Sequence, residues 1–366
     1  MNYASMLMNI LFRDSTKNKY ANYESVLEFV PEFTYAIINF NIDKEIPLVK
    51  TIQKYLQFYC ETYKTNKIVV SLSGGVDSMV LITIIKFLQY NVVALHINYN
   101  NRSETPLEQK FLEEWCYYNS ITLHTKSIDS LKRGEMKRSD YENQTRIIRY
   151  DFYKEVLKNE NVDSIILAHH KDDIIENIFA NVCRGRNLLD LAAISDLKEI
   201  DGVKILRPML NHFKCDIYNF SREYCVPYFK DTTPGWSVRG KYREKLYPML
   251  IDTFSFNIKE NLLKMSEQSE DWKLLVNSEI INPFMQKIQF NNKGCVFMVQ
   301  ENYISYPITF WSNIFQKIFY KFGKPSPSKK GITSFMNNIQ TKNVSYISMS
   351  NCCVCRNKNY EITIAF

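Results

Sequence analysis

The chain has 366 residues, 45% hydrophobic and 23% charged, with 10 Gly and 11 Pro. That length exceeds what one compact core usually holds, so two or three domains are expected of an ordinary soluble globular protein. A net charge of +7 and a pI near 8.7 permit an anionic partner without demanding one.

The first 45 residues read as an apolar and aromatic extension without a motif. Its opening run, broken by Arg13 and Asp14, is too short to span a membrane. It also lacks the Arg-rich character of a transit peptide. The expectation is a cytoplasmic protein without membrane association. Its nine scattered cysteines are then reduced thiols.

Apolar residues at three- and four-residue spacing predict a helix over 47–63. Ile68 to Leu72 is a short β-branched strand, followed by Gly74-Gly75 and an apolar helix over 79–88. Strands are expected at 92–97, 121–126 and 162–168. They alternate with helices at 107–118, 141–157 and about 172–183. Short apolar strands separated by helices argue for a parallel sheet covered on both faces. Right-handed crossovers then give a doubly wound α/β domain, placed at 46–225. In such a sheet, ligands bind beyond the carboxyl ends of the strands.

After residue 226 the alternation stops. The remaining 226–366 read as mainly helical to about 324, including 241–254, 258–276 and 310–322. A small β-containing tail follows from 325. Between Arg207 and Leu250 the chain carries eight Lys or Arg against four acids, so the basic excess is partly local. Aromatics make up 14% of the chain, and most are expected in cores, with some free to stack on bases.

Ser73-Gly74-Gly75-Val76-Asp77-Ser78 lies between strand and helix. Two glycines allow a sharp turn and a close approach to a ligand. A helix start offers unpaired N–H groups and a positive dipole end, hence an anion site. Ser73 and Ser78 add hydroxyl donors for phosphate, and Asp77 is placed to hold Mg²⁺. The string resembles the pyrophosphate loop of the PP-loop ATP pyrophosphatases and lacks the Gly-Lys-Ser/Thr ending of a Walker loop. The resemblance implies ATP cleavage between the α and β phosphates.

A second cluster, Ala168-His169-His170-Lys171-Asp172-Asp173-Ile174-Ile175-Glu176-Asn177, follows the fourth strand. Asp173 and Glu176 are three apart at a helix start, so both carboxylates can face one pocket, there to bind Mg²⁺ or an ammonium group. Asp172 is also a candidate helix N-cap. Cys183-Arg184-Gly185 comes seven residues later.

Here the resemblance narrows to the tRNA(Ile)-lysidine synthases. Their Gly-His-His-x-x-Asp-Asp-x-x-Glu-Thr and Arg-Gly patterns are similar to this cluster, with Ala168 and Asn177 substituted. His96-Ile97-Asn98-Tyr99-Asn100-Asn101-Arg102 and Thr145-Arg146-Ile147-Ile148-Arg149-Tyr150 resemble two upstream motifs of that family. Asp231-Thr232-Thr233-Pro234 and Arg239-Gly240-Lys241-Tyr242-Arg243 resemble a downstream one. The match spans about 67–250. It departs at Tyr99 and at Pro234-Gly235, in loops near the substrate.

The resemblance implies ATP-dependent joining of L-lysine to C2 of cytidine 34 in a tRNA(Ile) with a CAU anticodon. Ser73, Gly74, Gly75, Val76, Asp77, Ser78, His96, Arg146 and Arg184 would bind ATP. Asp77 and Asp173 would hold Mg²⁺, and Asp77, His169, Asp173 and Glu176 would form the catalytic set. Arg149, Arg239 and Arg243 would contact tRNA, with 226–366 as the tRNA-binding region. For Arg146 and Arg149 a structural ion pair is an equal alternative. A homodimer is compatible with all of this.

Two other enzymes fit the loop. RNA thiolation needs cysteines near the site, often holding an iron–sulfur cluster. Cys352-Cys353-Val354-Cys355 is the only close set, and it reads more simply as a strand packed with small apolar thiols. A PP-loop ligase acting on another substrate is the other possibility, against which the basic 207–250 segment argues. A binding protein without catalysis is disfavoured by Asp77, Asp173 and Glu176 together.

Overall fold

The computed structural model describes residues 26–29, 41–129, 131, 135–191, 194–231, 233, 235, 237–255, 257–340 and 345–366. Most of the 1–45 extension, and Thr232 and Pro234 of the Asp231 motif, lie outside the described residues. Those described form two compact units, one reaching to 186 and resuming over 191–266, the other comprising 187–190 and 267–366.

In the first unit, β1 (Leu27–Phe29) and α1 (Pro47–Tyr63) precede an alternating series. It runs β2 (Lys67–Ser71), α2 (Val76–Phe87), β3 (Asn91–Asn98), α3 (Thr105–Tyr118), β4 (Thr122–Ser127), α4 (Arg138–Glu160), β5 (Ser164–Ile166) and α5 (Lys171–Cys183). Then come β6 (Leu197–Ile200), β7 (Val203–Leu206), α6 (Lys214–Glu223) and β8 (Tyr228–Phe229). Six strands form one sheet in the order β4-β3-β2-β5-β7-β6.

The apolar runs form parallel strands because both faces of the sheet are buried. Ile68 and Val70 of β2 join one core with Met79 and Val80 of α2, whereas Val69 joins the opposite core with Phe152 and Val156 of α4. β3 divides likewise, with Val92 and Ala94 on one face and Val93 and Leu95 on the other. α2 is buried on nearly every side, which is why its sequence is apolar all round.

The expected parallel sheet ends in an antiparallel edge, since β6 pairs antiparallel with β7. Only Asp201 and Gly202 link them, both at positive φ (51° and 77°). That is the two-residue turn which matches strand twist in hairpins. A parallel pair would need a crossover of a dozen or more residues.

The chain leaves β2 toward β3 and β4, then returns to β5 on the other side of β2. The ends of β2 and β5 therefore flank the point where the winding reverses, the place where such sheets open a crevice. The later helices are α7 (Val238–Lys241) and α8 (Tyr247–Phe254), joined by a π-turn over Tyr242–Leu246. The helix expected over 241–254 thus begins earlier and contains one wide turn. α9 (Ile258–Val276) lies where the spacing put it.

The second unit contains α10 (Asn282–Met285), β9 (Gln289–Asn291), β10 (Gly294–Met298), α11 (Glu301–Ile304), α12 (Ile308–Lys321) and α13 (Lys329–Gln340). β11 (Ser345–Ile347), β12 (Val354–Lys358) and β13 (Glu361–Ala365) complete it. Its five strands form an antiparallel sheet in the order β11-β12-β13-β10-β9, so the tail strands gain a hairpin from 289–298 that the sequence pattern did not single out. Much of the aromatic richness is spent here. Phe284 meets Phe310 and Trp311 edge-on at 5.3 and 5.6 Å, a favoured arrangement for buried rings. Cys295 and Cys355 belong to the same core.

A Cβ on Gly331 of α13 would lie 2.0 Å from the Met349 carbonyl oxygen. We expect Gly331→Ala to destabilise the second unit by about 1–3 kcal/mol through overpacking, seen as a lower denaturation midpoint; an unshifted midpoint would contradict the close approach.

Candidate functional site

Between β2 and α2 the backbone turns through Gly74, at φ +83°, where a Cβ would sit 2.0 Å from the Phe229 ring. The Phe229 N–H donates to the Gly74 carbonyl at 2.9 Å, so β8 is laid directly over the loop. Ser78 is turned into the loop rather than outward. Its hydroxyl accepts from the N–H groups of Ser73 and Gly74, both at 3.2 Å, and donates to the Gly75 carbonyl at 3.0 Å. No side chain caps the start of α2, which leaves its end as an anion site.

Ser73, Gly75, Val76 and Asp77 line a cavity of about 530 Å³. His96 lines it too, its Nδ1 2.9 Å from the Leu72 carbonyl. Burial lowers the His96 pKa. The ring is therefore a neutral wall.

The end of β5 delivers the second cluster. Asp77 and Asp173 each place a carboxylate oxygen 3.5 Å from His170 Nε2, so the two candidate metal ligands converge on one imidazole. Asp173 also accepts from the His170 N–H at 3.1 Å and so closes the start of α5 with a capping box. This corrects the expected capping role of Asp172. That side chain accepts instead from the Lys214 N–H at 2.7 Å and pairs with Lys259. Burial alone would raise the Asp172 pKa, but these partners hold it below the usual carboxylate value.

Glu176 does not stand free in a pocket. It accepts from Arg239 Nε at 2.8 Å and Arg243 Nε at 3.2 Å, and Arg243 also reaches Asp231 at 3.4 Å. His169 accepts from Arg207 Nε at 3.0 Å through Nδ1.

A second cavity, of about 790 Å³, adjoins the first through Thr233. Arg138, Arg184, Arg239 and Lys241 line it beside Phe179 and Tyr242. Arg146 and Arg149 line neither cavity. Arg146 makes an exposed ion pair with Asp201 at 3.1 Å, at the β6–β7 turn. Arg149 lies by Tyr99 and Tyr153, where its charge opposes the rise that burial gives both phenols. Its buried Nε has no hydrogen-bond partner among the described residues.

Three site residues escaped the sequence reading. Lys214 holds both oxygens of Asp77 at 2.6 Å, Lys259 holds Asp172, and Arg207 orients His169. The basic composition of 207–250 pointed at two of them collectively, but no spacing tied either to a particular acid. Nothing in the sequence marked Lys259. Cys352 and Cys353 are half-buried and Cys355 is buried, with burial pushing the Cys353 thiol up to about 11. No group of three or more potential metal ligands is present among the described residues.

Residues 47–250 match the family described as the PP-loop domain. Among curated proteins, the chain is 29% identical over 250 residues to the bifunctional protein TilS/HprT of Listeria innocua, covering 66% of this chain and 38% of that one. It is 30% identical over 212 residues to tRNA(Ile)-lysidine synthase of Staphylococcus aureus, covering 56% and 49%. The chain thus spans less than half the length of these two relatives. A solved U34-tRNA thiolase from Methanococcus maripaludis superposes with a TM-score of 0.48 at 18% identity, covering 61% of this chain and 78% of that one.

Gly74→Ala should destabilise the loop by about 1–3 kcal/mol and weaken nucleotide binding; wild-type affinity in a titration with ATP would refute the tight seat under Phe229. His169 supplies a pH signature. Burial holds its pKa down to about 4, against the opposing pull of Asp173, while the unfolded value is near 6.5. The unfolded chain therefore binds more protons between these values, and stability falls as pH drops from about 6.5 to 4. His169→Gln should flatten that part of the stability–pH curve.

Proposed function

Because the chain belongs to the PP-loop domain family over residues 47–250, we propose that it is an ATP-consuming RNA-modifying ligase of the tRNA(Ile)-lysidine synthase type. The observation that carries the reading is the pairing of two cavities through Thr233. One is a phosphate-loop cavity bearing Asp77, and the other a wider basic, aromatic one.

ATP would lie in the first cavity with its phosphates against the loop and the start of α2. Hard carboxylate oxygens suit Mg²⁺, which commonly takes one or two carboxylates and completes its shell with phosphates and water. Asp77 and Asp173, converging on His170, would supply such oxygens, with Asp77 giving up its Lys214 contacts to the ion. Bound there, Mg²⁺ would neutralise phosphate charge.

The second cavity is proposed to receive a cytidine lifted from an RNA loop. Arg184, Arg239 and Lys241 would neutralise phosphates, and Tyr242 and Phe179 would offer flat rings, the usual means of holding single-stranded bases. The cytosine O2 would attack the α-phosphorus, and pyrophosphate would leave. The lysine ε-amine would then attack C2. The C2–O bond breaks, AMP departs with the oxygen, and the extra proton on nitrogen passes to a nearby base. Adenylation turns a poor leaving group into a good one.

Among the acids, Asp173 is the better candidate for that proton. Glu176 is already held by two guanidinium groups, those of Arg239 and Arg243. His169 is kept neutral and would orient rather than carry charge. Thiolation gains no support from the described residues, since Cys353 and Cys355 belong to the second unit and only Cys183 borders the basic cavity.

The test is ATP–pyrophosphate exchange by the full chain with a panel of tRNAs, then mass spectrometry of the modified nucleoside. A lysine mass on cytidine 34 is expected. A sulfur-for-oxygen mass, or no modification of any tRNA with cytidine 34, would defeat the reading. Asp77→Asn should lower pyrophosphate release on the order of 100-fold, as for loss of a group stabilising transition-state charge.

A further inference from the structure

The family match covers residues 47–250, yet the phosphate-loop cavity takes part of its wall from outside that span. Glu28 of β1 lines it beside Tyr218, Tyr228 and Lys230. β1 pairs antiparallel with β8, Leu27 opposite Phe229 and Phe29 opposite Tyr228. The Lys230 N–H donates to the Val26 carbonyl at 2.9 Å. Val26 itself is 3% exposed, in the core that also holds Val76 and Phe229.

Successive N–H groups of an extended chain point to opposite sides. Here the Phe229 N–H goes to the Gly74 carbonyl, and the next one, of Lys230, goes to Val26. β8 therefore bridges the phosphate loop and β1. The Phe229 ring occupies the space that a Cβ on Gly74 would need, and it meets Phe111 edge-on at 5.6 Å.

A second hold lies at the other end of the same stretch. The Asp43 N–H donates to the Tyr224 hydroxyl at 3.3 Å, and Ile42 is buried in the same core as Val26. Tyr224 caps the end of α6, whose first residue, Lys214, holds Asp77. The α6–β8 stretch thus touches the loop twice, through Lys214 and Phe229, and residues preceding the matched domain grip it twice, at Val26 and Asp43.

A two-residue strand such as β8 has little stability of its own, so its seat on Gly74 depends on its neighbours. The loop in turn binds anions only while its N–H groups keep their aim. Coupling of this kind is reciprocal, since whatever strengthens one contact strengthens the other.

We propose that β1 and the Ile42–Asp43 segment form a clasp on the phosphate loop. Docked on β8, the clasp holds the loop in its anion-binding shape, and a bound nucleotide holds the clasp on β8. The inference rests on the ATP reading above and adds to it a positioning element outside the matched domain. Val26 and Tyr224 are positioning residues, for neither lines the cavity.

The test is hydrogen–deuterium exchange on the full chain, with Mg²⁺ present, with and without α,β-methylene-ATP, which cannot be cleaved between the α and β phosphates. Saturating analogue should slow exchange at 26–29 together with 73–78 and 228–230, with the 289–298 hairpin as an unaffected control. Val26→Asp puts a charge into the core. It should speed exchange at 26–29 and weaken analogue binding on the order of 5- to 100-fold, the range of typical coupling between sites. Tyr224→Phe keeps the ring and loses the hydroxyl that accepts from Asp43. It should weaken binding roughly 2- to 5-fold, and it remains informative should Val26→Asp fail to fold. Exchange at 26–29 unmoved by saturating analogue would overturn the proposal. So would wild-type affinity in Tyr224→Phe or in a folded Val26→Asp, even with a lower denaturation midpoint, since that is the mark of a merely structural role. If the wild type shows no saturable binding of the analogue at all, it is the ATP reading that falls.

Discussion

Four carboxylates, those of Asp77, Asp172, Asp173 and Glu176, are drawn together where the sheet reverses its winding between β2 and β5. Like charges at such spacing in a partly buried crevice repel strongly and raise one another's cost of ionisation. The rest of the first unit supplies the counter-charges. Lys214 reaches Asp77 from α6, Lys259 reaches Asp172 from α9, and Arg239 and Arg243 grip Glu176 from the helical stretch after β8. Removing one partner from such an arrangement leaves an uncompensated charge, which is more costly than the pair is stabilising. The segment from 207 to 259 is therefore part of the site.

The same neutralisation sorts the acids into different jobs. Glu176 is tied to two arginines and Asp172 to Lys259, while Asp77, held by Lys214, and Asp173 place oxygens on either side of His170. His169, half-buried and facing Arg207, stays uncharged. Residues that look equivalent in a His-His-x-Asp-Asp-x-x-Glu string thus differ in partner, because each meets a different element of the fold.

The loop and the cluster also differ in how they are held. The loop is fixed locally, by the Ser78 hydroxyl and by Phe229 over Gly74, so its shape does not depend on any ionised group. The cluster is fixed by long-range ion pairs whose strength depends on burial.

The sequence by itself determined the alternation of strands and helices, the doubly wound sheet and the glycine loop at its carboxyl edge. These follow from local rules: apolar runs short enough for strands, helical periodicity, and a backbone turn that only glycine permits. It also brought Asp77 and the His169–Glu176 string to the same edge, since both follow central strands. The Asp201-Gly202 hairpin and the antiparallel edge it makes came from the tertiary structure. What only the tertiary structure decided is pairing. Lys214 lies 137 residues from Asp77, and Lys259 lies 87 from Asp172. No periodicity links such positions, because a side chain's partner across a crevice depends on how separate elements pack. For the same reason Arg146, which fits a family motif, turned out to serve a surface ion pair with Asp201. That the Tyr242 hydroxyl has no partner among the described residues is likewise a matter of packing alone.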